Sequence, residues 1–226
     1  MMDDTEIPKT GSERATWNDR MFLKYPTPRA GVLVWMIHNA RHRTIKRFAA
    51  IQPYDSLLEI GCEAGHLLAA LQGARCFVGG DISKRALDQA RVNLRRLGRP
   101  THLLQMDADE ALPFPSGAFD VIICSQMLEH THRPRKVLEN IHALTTPETR
   151  VIISVPIEAS KIFFKNLLHR MGLLKFFFPD IKEGPSEWHL HKFSPKLLRT
   201  LSSDLFAIRR RKIVLGCDYV VLLAKR

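Results

Sequence analysis

The chain has 226 residues, a formal net charge of +11 and a hydrophobic fraction of 45%. This length is enough for one domain with a full core and short for two. The first 20 residues are polar and acidic, which does not indicate a signal peptide. No apolar run reaches about 18 residues, the length that a membrane-spanning helix needs. We therefore expect a globular, cytoplasmic protein.

The positive charge is unevenly distributed along the chain. No acidic residue lies between Asp19 and Asp55, and residues 209–212 are consecutive cations. Such asymmetry favours an anionic partner, either nucleic acid, a membrane surface or an acidic substrate. A solvated surface explains it equally well. The four cysteines are far apart and form no C-x-x-C pair, which is typical of reduced thiols.

Residues 57–68 predict a buried strand, a tight turn and the start of a helix. The apolar run contains an acid, Glu59, and the turn contains two glycines four residues apart, beginning with Gly61. A dinucleotide fingerprint would place another glycine at the position of Glu63. Because a carboxylate there would repel a pyrophosphate, the pattern favours a cationic ligand without phosphate, such as S-adenosylmethionine (SAM), over NAD.

A second strand, residues 76–81, also ends in an acid, and Asp81 is well placed to bind the two hydroxyls of a ribose. Over roughly residues 53 to 157, these motifs resemble the class I SAM-dependent methyltransferases, in particular the type 11 group of small-molecule enzymes. The resemblance implies that Asp81 holds the ribose and that Ile82 packs on the adenine. The chain departs from the family at Glu63, where a glycine is usual.

Two later strands complete the cofactor motifs. Asp107 and Ala108 follow the strand predicted at 101–106, and the resemblance implies that they bind the adenine amino group and a ring nitrogen. The strand at 121–124 leads into a loop whose backbone carbonyls the resemblance places at the methionine ammonium. The expected cofactor-binding residues are Glu59, Gly61, Cys62, Glu63, Gly65, Asp81, Ile82, Asp107, Ala108, Cys124 and Ser125.

The order of the predicted elements indicates an α/β fold. Strands and helices alternate up to a fifth strand at 150–155, and an antiparallel pair, 206–215 and 218–224, follows with a turn at Gly216. Such an order is typical of a doubly wound, Rossmann-like fold. We expect a mostly parallel seven-stranded sheet with a C-terminal antiparallel hairpin.

The predicted domain organisation is simple. Residues 1–16 lack periodicity and predict a disordered tail, and residues 17–226 predict a single methyltransferase domain. Residues 17–52 form an N-terminal extension that is irregular up to Pro28 and then helical. Residues 158–193 form a helical insertion, more apolar than a simple link requires. A lid over an apolar acceptor, a dimer contact and a peripheral membrane contact all explain it.

The tripeptide Leu128-Glu129-His130 resembles that of ubiquinone-type O-methyltransferases and supplies the two catalytic candidates. His130 is the candidate general base, because an acceptor hydroxyl or amine often has to lose a proton. The alternative is that Glu129 and His130 only fix the loop. Small-RNA 2′-O-methyltransferases have a glutamate ligand for magnesium at the position of Gln126, so no metal site is predicted.

The sequence therefore predicts a SAM-dependent methyltransferase acting on a small or lipid-like acceptor at oxygen, nitrogen or carbon. Two other functions stay open. The positive charge is compatible with an RNA methyltransferase, although the chain lacks the D/N-P-P-Y/F tetrapeptide of enzymes that methylate exocyclic amines. Glu63 is compatible with a non-catalytic SAM-binding module.

Overall fold

A seven-stranded sheet lies at the centre of the structure, a computed structural model that describes residues 11–24, 32–98, 101–172 and 190–226. Helices separate its first five strands along the chain, except that the residues between the third and the fourth strand contain no helix. The strands are β1 (Ser56–Ile60), β2 (Cys76–Asp81), β3 (His102–Gln105), β4 (Val121–Ser125), β5 (Arg150–Pro156), β6 (Phe206–Val214) and β7 (Asp218–Lys225).

The described helices cover both faces of the sheet. They are α1 (Gly11–Lys24), α2 (Val32–Ala49), α3 (His66–Ala70), α4 (Lys84–Arg95), α5 (Pro134–Leu144), α6 (Glu158–Arg170) and α7 (Pro195–Ser202), with a 3₁₀ turn at Leu128–His130. Ser83 and Ser194 cap α4 and α7, and each accepts a backbone N–H with its side-chain oxygen.

The strand order is β3-β2-β1-β4-β5-β7-β6. Strands β1 to β5 run parallel, whereas β7 is antiparallel to both β5 and β6. The predicted doubly wound fold with a C-terminal antiparallel hairpin is thus confirmed. The order reverses between β1 and β4, and ligands bind at such a switch point, outside the carboxyl ends of the strands.

The two faces of the central strands belong to two hydrophobic cores. Ile122 and Ile153 pack in the core that α5 and α7 cover, whereas their neighbours Ile123 and Ile152 pack in the core that α2, α3 and α4 cover. Successive side chains of a strand point to opposite faces. Strands that are covered on both sides therefore contain continuous apolar runs, as residues 121–124 of β4 and 151–153 of β5 do.

The N-terminal region differs from the sequence prediction. Residues 11–24 form α1, where we predicted a tail up to residue 16 and an irregular segment after it. Trp17 and Met21, four residues apart, are 7% and 5% exposed, so tertiary packing of this face stabilises the helix. Residues 1–10 of the predicted tail lie outside the described residues.

Helix α6 occupies the first part of the predicted insertion. Residues 173–189 of the insertion lie outside the described residues, so its predicted role as a lid, dimer contact or membrane contact stays a prediction. No helix among the residues that the structure describes is long and apolar enough to cross a membrane.

Candidate functional site

A cleft of about 750 Å³ lies at the carboxyl ends of β1, β2 and β4. The strand ends and the loops after them form its floor, while α1 and α2 form the walls above. The strand order of the sheet reverses at this point, and open α/β sheets bind their ligands at such a point.

The turn after β1 depends on Gly61. Its φ of 75° lies in the left-handed region, and its N–H donates to the carbonyl of Gly80 at 2.8 Å. A Cβ at Gly61 would lie 2.6 Å from Cγ of Met127, so the turn packs tightly on the loop after β4. Gly65, the N-cap of α3, also has a positive φ of 76°. Both glycines are thus required by backbone geometry.

Two larger residues that line the cleft have the same unfavourable backbone geometry. The φ of Glu63 is 47° and that of Gln126 is 54°. The left-handed geometry explains why a glycine would be expected at the position of Glu63. Non-glycine residues in this region cost free energy and concentrate at ligand sites. The strain therefore supports a functional role for this part of the cleft.

Asp81 closes β2 and organises the cleft floor. Its two carboxylate oxygens accept the backbone N–H groups of Glu63 at 2.8 Å and Ser83 at 2.9 Å. A carboxylate has about four acceptor sites, so roughly two remain for a ligand. Burial raises the pKa of Asp81 to about 6, against the opposing effect of the two N–H donors.

Glu59 of β1 also lines the cleft, although it is only 3% exposed. Its Oε2 atom has no hydrogen-bond partner among the described residues. Burial raises the pKa of this carboxyl well above its usual range, and the nearby Asp81 and Glu63 raise it further. A buried acid with an unpartnered oxygen fits a ligand that supplies a hydrogen-bond donor or a positive charge.

Asp107 follows β3 and is in contact with α1. The Nη2 atom of Arg14 lies 2.7 Å from Asp107 Oδ2, and its Nη1 atom contacts the buried carboxylate of Asp109. Burial raises the pKa of Asp107, while the N–H of Asp109 and the charge of Arg14 oppose this shift. One guanidinium from α1 thus neutralises two acids on the opposite wall.

A second contact holds α1 at the other side of the cleft. The carboxylate of Asp19 accepts the hydroxyl of Ser83 at 2.6 Å and the backbone N–H of Arg85 at 3.1 Å, at the start of α4. Acids at a helix N-terminus are favourable. Helix α1 therefore spans the cleft between β3 and α4.

Basic and aromatic side chains of α2 line the opposite half of the cleft. His38 and His42 have ring centroids 6.5 Å apart, and Trp35 lies one turn earlier. Burial, followed by the charge of Arg41, lowers the pKa of His42 to about 4, so this imidazole is neutral at physiological pH. Arg41 itself is paired with the fully buried Asp218 at 3.1 Å.

The two catalytic candidates occupy different environments. His130 lines the cleft, whereas Glu129 is 1% exposed and is not part of the cleft lining. The backbone carbonyl of Glu129 accepts the N–H of Leu190 at 2.8 Å. His191 Nε2 lies 3.1 Å from the carbonyl of Thr131. Of the two candidates, only His130 lines the cleft.

The cysteines near the cleft are not suited to nucleophilic chemistry. Burial, assisted by Asp81, strongly raises the pKa of Cys62, and burial with Glu129 strongly raises that of Cys124. Both thiols therefore stay protonated. Cys124 is fully buried and does not line the cleft. Gly65 does not line it either, and it contributes only through the backbone at the start of α3.

Most of the predicted cofactor-binding residues come together in this cleft. Those that line it are Glu59, Gly61, Cys62, Glu63, Asp81, Ile82, Asp107, Ala108 and Ser125. The sequence analysis missed the contributions of α1 and α2, because neither helix carries a local motif. The side chains missed there are Arg14, Trp17, Asn18, Phe22, Trp35, His38, Arg41 and His42.

The described residues contain no group of three or more His, Cys, Asp or Glu side chains arranged to hold a metal ion.

Comparisons with known proteins agree with this geometry. Residues 58–153 match the model of a family described as "Methyltransferase domain". The ubiquinone biosynthesis O-methyltransferase of Thiobacillus denitrificans is 33% identical over 99 residues, which are 43% of this chain and 43% of that protein. The enzyme of the same name from Aeromonas salmonicida is 32% identical over 120 residues, 53% of this chain and 50% of that protein. The chain thus matches about half the length of these relatives.

Solved structures share the fold at low sequence identity. The magnesium protoporphyrin IX methyltransferase of Synechocystis PCC 6803, solved with bound S-adenosylhomocysteine, superposes with a TM-score of 0.62. The two sequences are 18% identical, and the match covers 94% of this chain and 95% of that one. The likeness supports the fold assigned from the strand order.

Proposed function

Because residues 58–153 match the model of the family described as "Methyltransferase domain", we propose that the chain is a class I SAM-dependent methyltransferase of the type 11 group and that it transfers a methyl group from SAM to a small or lipid-like acceptor. The observation that carries the proposal is that acidic side chains line one side of the cleft and histidines line the other. Glu59, Asp81 and Asp107 close three adjacent strands on one side, and the histidines of α2 and the loop after β4 face them from the other.

The acidic half fits SAM. SAM carries a sulfonium and an ammonium but no phosphate, so the two free acceptor sites of Asp81 suit its ribose hydroxyls. Glu59, with its unpartnered oxygen, favours positive charge nearby. Ile82 offers an apolar surface beside Asp107 for the adenine. Glu63 is exposed and would repel a pyrophosphate, which disfavours a dinucleotide in the same place.

When bound, SAM supplies an activated methyl group, so the residues of the chain mainly align the acceptor and exclude water. Trp17 and Phe22 of α1 and Trp35 of α2 enclose the cleft with apolar surface. His130 is positioned to accept the proton of an acceptor hydroxyl at its imidazole. His42 is a weaker candidate, because its lowered pKa of about 4 makes it a poor base.

Glu129 has a positioning role in this proposal. Its buried backbone carbonyl accepts the N–H of Leu190, and this hydrogen bond fixes the loop from which His130 enters the cleft. Since the relatives named above are O-methyltransferases, an acceptor hydroxyl is the first choice. We further expect the protein to act in the cytoplasm.

Calorimetry and product analysis test the proposal. The purified chain should bind SAM and S-adenosylhomocysteine but not NAD, and Asp81→Ala should weaken SAM binding about 100-fold by removing two charge-assisted hydrogen bonds. Asp88→Ala, which removes an exposed acid of α4, is the matched control.

Cell extract incubated with the protein and methyl-labelled SAM should then yield a labelled small molecule or lipid, detected by mass spectrometry. SAM binding without any labelled product would point to a non-catalytic module instead. Unchanged SAM affinity in Asp81→Ala would refute the assignment of the acidic half.

A further inference from the structure

The turn between β6 and β7 carries an exposed leucine in an unfavourable conformation. Leu215 and Gly216 have φ values of 48° and 70°, and the N–H of Cys217 donates to the carbonyl of Val214 at 2.9 Å. Leu215 and Gly216 are thus the central residues of a β-turn within the three-residue connection between the paired Val214 and Asp218, and a positive φ at both favours asparagine, aspartate or glycine at the first. Leu215 is nevertheless 53% exposed. Neither the turn geometry nor the core explains a leucine at this position.

Other exposed apolar side chains lie at the same edge of the sheet. Ile213, two residues before Leu215, is 55% exposed. It pairs with Tyr219, which packs in the core beneath α5 and α7, so its side chain lies on the face of the sheet opposite α2. Asp218, just after the turn, pairs with Pro156 at the carboxyl end of β5. The hairpin turn therefore lies at the carboxyl edge of the sheet, where the cleft opens.

Helix α2 brings two more apolar side chains to this edge. Trp35 is 59% exposed and lines the cleft, and Met36 beside it is 46% exposed. The ion pair between Arg41 and Asp218 joins α2 to the hairpin close to the turn. We call Trp35, Met36, Ile213 and Leu215 the apolar rim.

A basic surface lies behind the apolar rim. Arg210 and Lys212 of β6 pair with Leu222 and Val220, which pack in the core beneath α2, so both cations lie on the α2 side of the sheet. Three exposed cations follow one stripe of α2 itself. The five residues, which we call the basic face, are Arg43, Lys46, Arg47, Arg210 and Lys212.

None of the cations of the basic face forms an ion pair with a residue that the structure describes. Arg43 follows Met36 by seven helical residues, about 10 Å along the helix. Lys212 precedes Leu215 by three strand residues, also about 10 Å. On both elements the first cations thus lie at a similar distance behind the apolar rim.

We propose that this edge of the protein docks on an anionic lipid bilayer. The apolar rim enters the boundary between headgroups and acyl chains, and the basic face contacts the anionic headgroups behind it. Aliphatic side chains such as Leu215 and Ile213 cannot stack on bases, which disfavours a nucleic acid as the partner. A second copy of the chain would bring two basic faces together, which like-charge repulsion disfavours.

Docking in this orientation turns the mouth of the cleft toward the lipid. Trp35 belongs to both the apolar rim and the cleft lining, so an acceptor dissolved in the bilayer would reach the cleft without crossing water.

Vesicle flotation of the full chain tests the proposal. Vesicles with 30% phosphatidylglycerol in phosphatidylcholine, on the order of a natural anionic fraction, should bind the protein, and pure phosphatidylcholine should bind it at least about 10-fold more weakly. Leu215→Asn should weaken binding about 10-fold without lowering the melting temperature, because asparagine suits the turn better than leucine. Leu97→Asn, equally exposed at 53% but following α4 at the opposite edge, should bind like the wild type.

A variant with fewer positive charges provides the second test of the proposal. The double change Arg210→Ser and Lys212→Ser should weaken binding by about 10-fold or more, whereas Arg95→Ser with Arg96→Ser, on α4, should not. Absence of vesicle binding would overturn the proposal. So would tight RNA binding that the charge variant abolishes and Leu215→Asn does not, or a dimer that Leu215→Asn dissociates. The assay needs no methyl transfer, so its result is independent of the proposed function.

Discussion

The guanidinium of Arg14 lies 2.7 Å from the carboxylate of Asp107, although the two residues are 93 positions apart in the sequence. Arg14 also contacts Asp109, and its side chain is only 5% exposed. The contact joins α1 to the wall of the cleft that the resemblance assigns to the adenine. The buried Asp109 and the partly exposed Asp107 thus share a partner from a helix that sequence patterns did not predict.

Replacing Arg14 with alanine should lower the free energy of unfolding by about 3 kcal/mol, because the buried carboxylate of Asp109 loses its charged partner. Thermal unfolding of the SAM-free protein would measure this. Arg135→Ala, which breaks an exposed ion pair with Asp204, should cost clearly less. Equal melting temperatures for the Arg14 variant and the wild type would show that α1 is not anchored by these acids.

SAM affinity should depend on pH through Asp81. The pKa of this residue in the free protein is about 6, so below that pH the carboxyl is protonated and has to lose its proton before it accepts two hydroxyl donors. Affinity should therefore rise about 10-fold from pH 5 to pH 7 and then level off.

Calorimetry at pH 5, 6, 7 and 8 would measure this rise, and Asp81→Asn should flatten it. The raised pKa of Asp81 affects folding in the opposite direction. Because the folded state holds the proton more tightly than the unfolded state does, the contribution of Asp81 to the free energy of unfolding falls as the pH rises from about 4 to about 6. A wild-type affinity that is constant over this range would contradict the role of Asp81.

His130→Ala should lower kcat about 10²–10⁴-fold with little change in SAM affinity, if the imidazole accepts the acceptor's proton. His191→Ala is the structural comparison, because His191 contacts the loop at Thr131 from outside the cleft. It should reduce the melting temperature and affect kcat less. If His130→Ala also lowers the melting temperature and weakens SAM binding, while kcat at saturating SAM stays near wild type, His130 fixes the loop instead.

Gly61→Ala should weaken SAM binding as well as folding. The new Cβ would have to sit in the left-handed region, 2.6 Å from Cγ of Met127, and would shift a residue that lines the cleft. Gly98 provides a matched control, since its φ is +62° and a Cβ there would meet nothing within 4 Å. Gly98→Ala should cost about 1 kcal/mol of folding free energy and leave SAM affinity unchanged. Similar SAM affinities for both variants and the wild type would contradict the packing argument.

The acidic half of the cleft was predictable from the sequence, and the opposite half was not. Each acid closes a strand of the parallel sheet, so Glu59, Asp81 and Asp107 follow from local patterns and the rule that the carboxyl ends of parallel strands share one edge. The positive φ of Glu63 shows that its departure from the family pattern is accompanied by local backbone strain.

Helix α1 depends on contacts that no local pattern contains. Trp17 and Met21 have helical spacing, but they bury their surface against residues distant in sequence, and the prolines at 26 and 28 indicate irregular structure nearby. The ion pair of Arg41 with Asp218 could not be predicted for the same reason, because the two residues are 177 positions apart in the sequence. The acidic half of the cleft was predictable because the order of the strands determines it. The half formed by α1 and α2 was not, because it depends on packing between residues that are distant in sequence.

The two contacts of helix α1 also have a consequence for the proposed reaction. They lie at Asp109 and at Ser83, and both of these residues line the cleft. If the adenosine binds beneath α1, we expect that release of the spent cofactor requires the helix to move and the buried ion pair with Asp109 to separate. Turnover would then be limited by this motion whenever it is slower than methyl transfer.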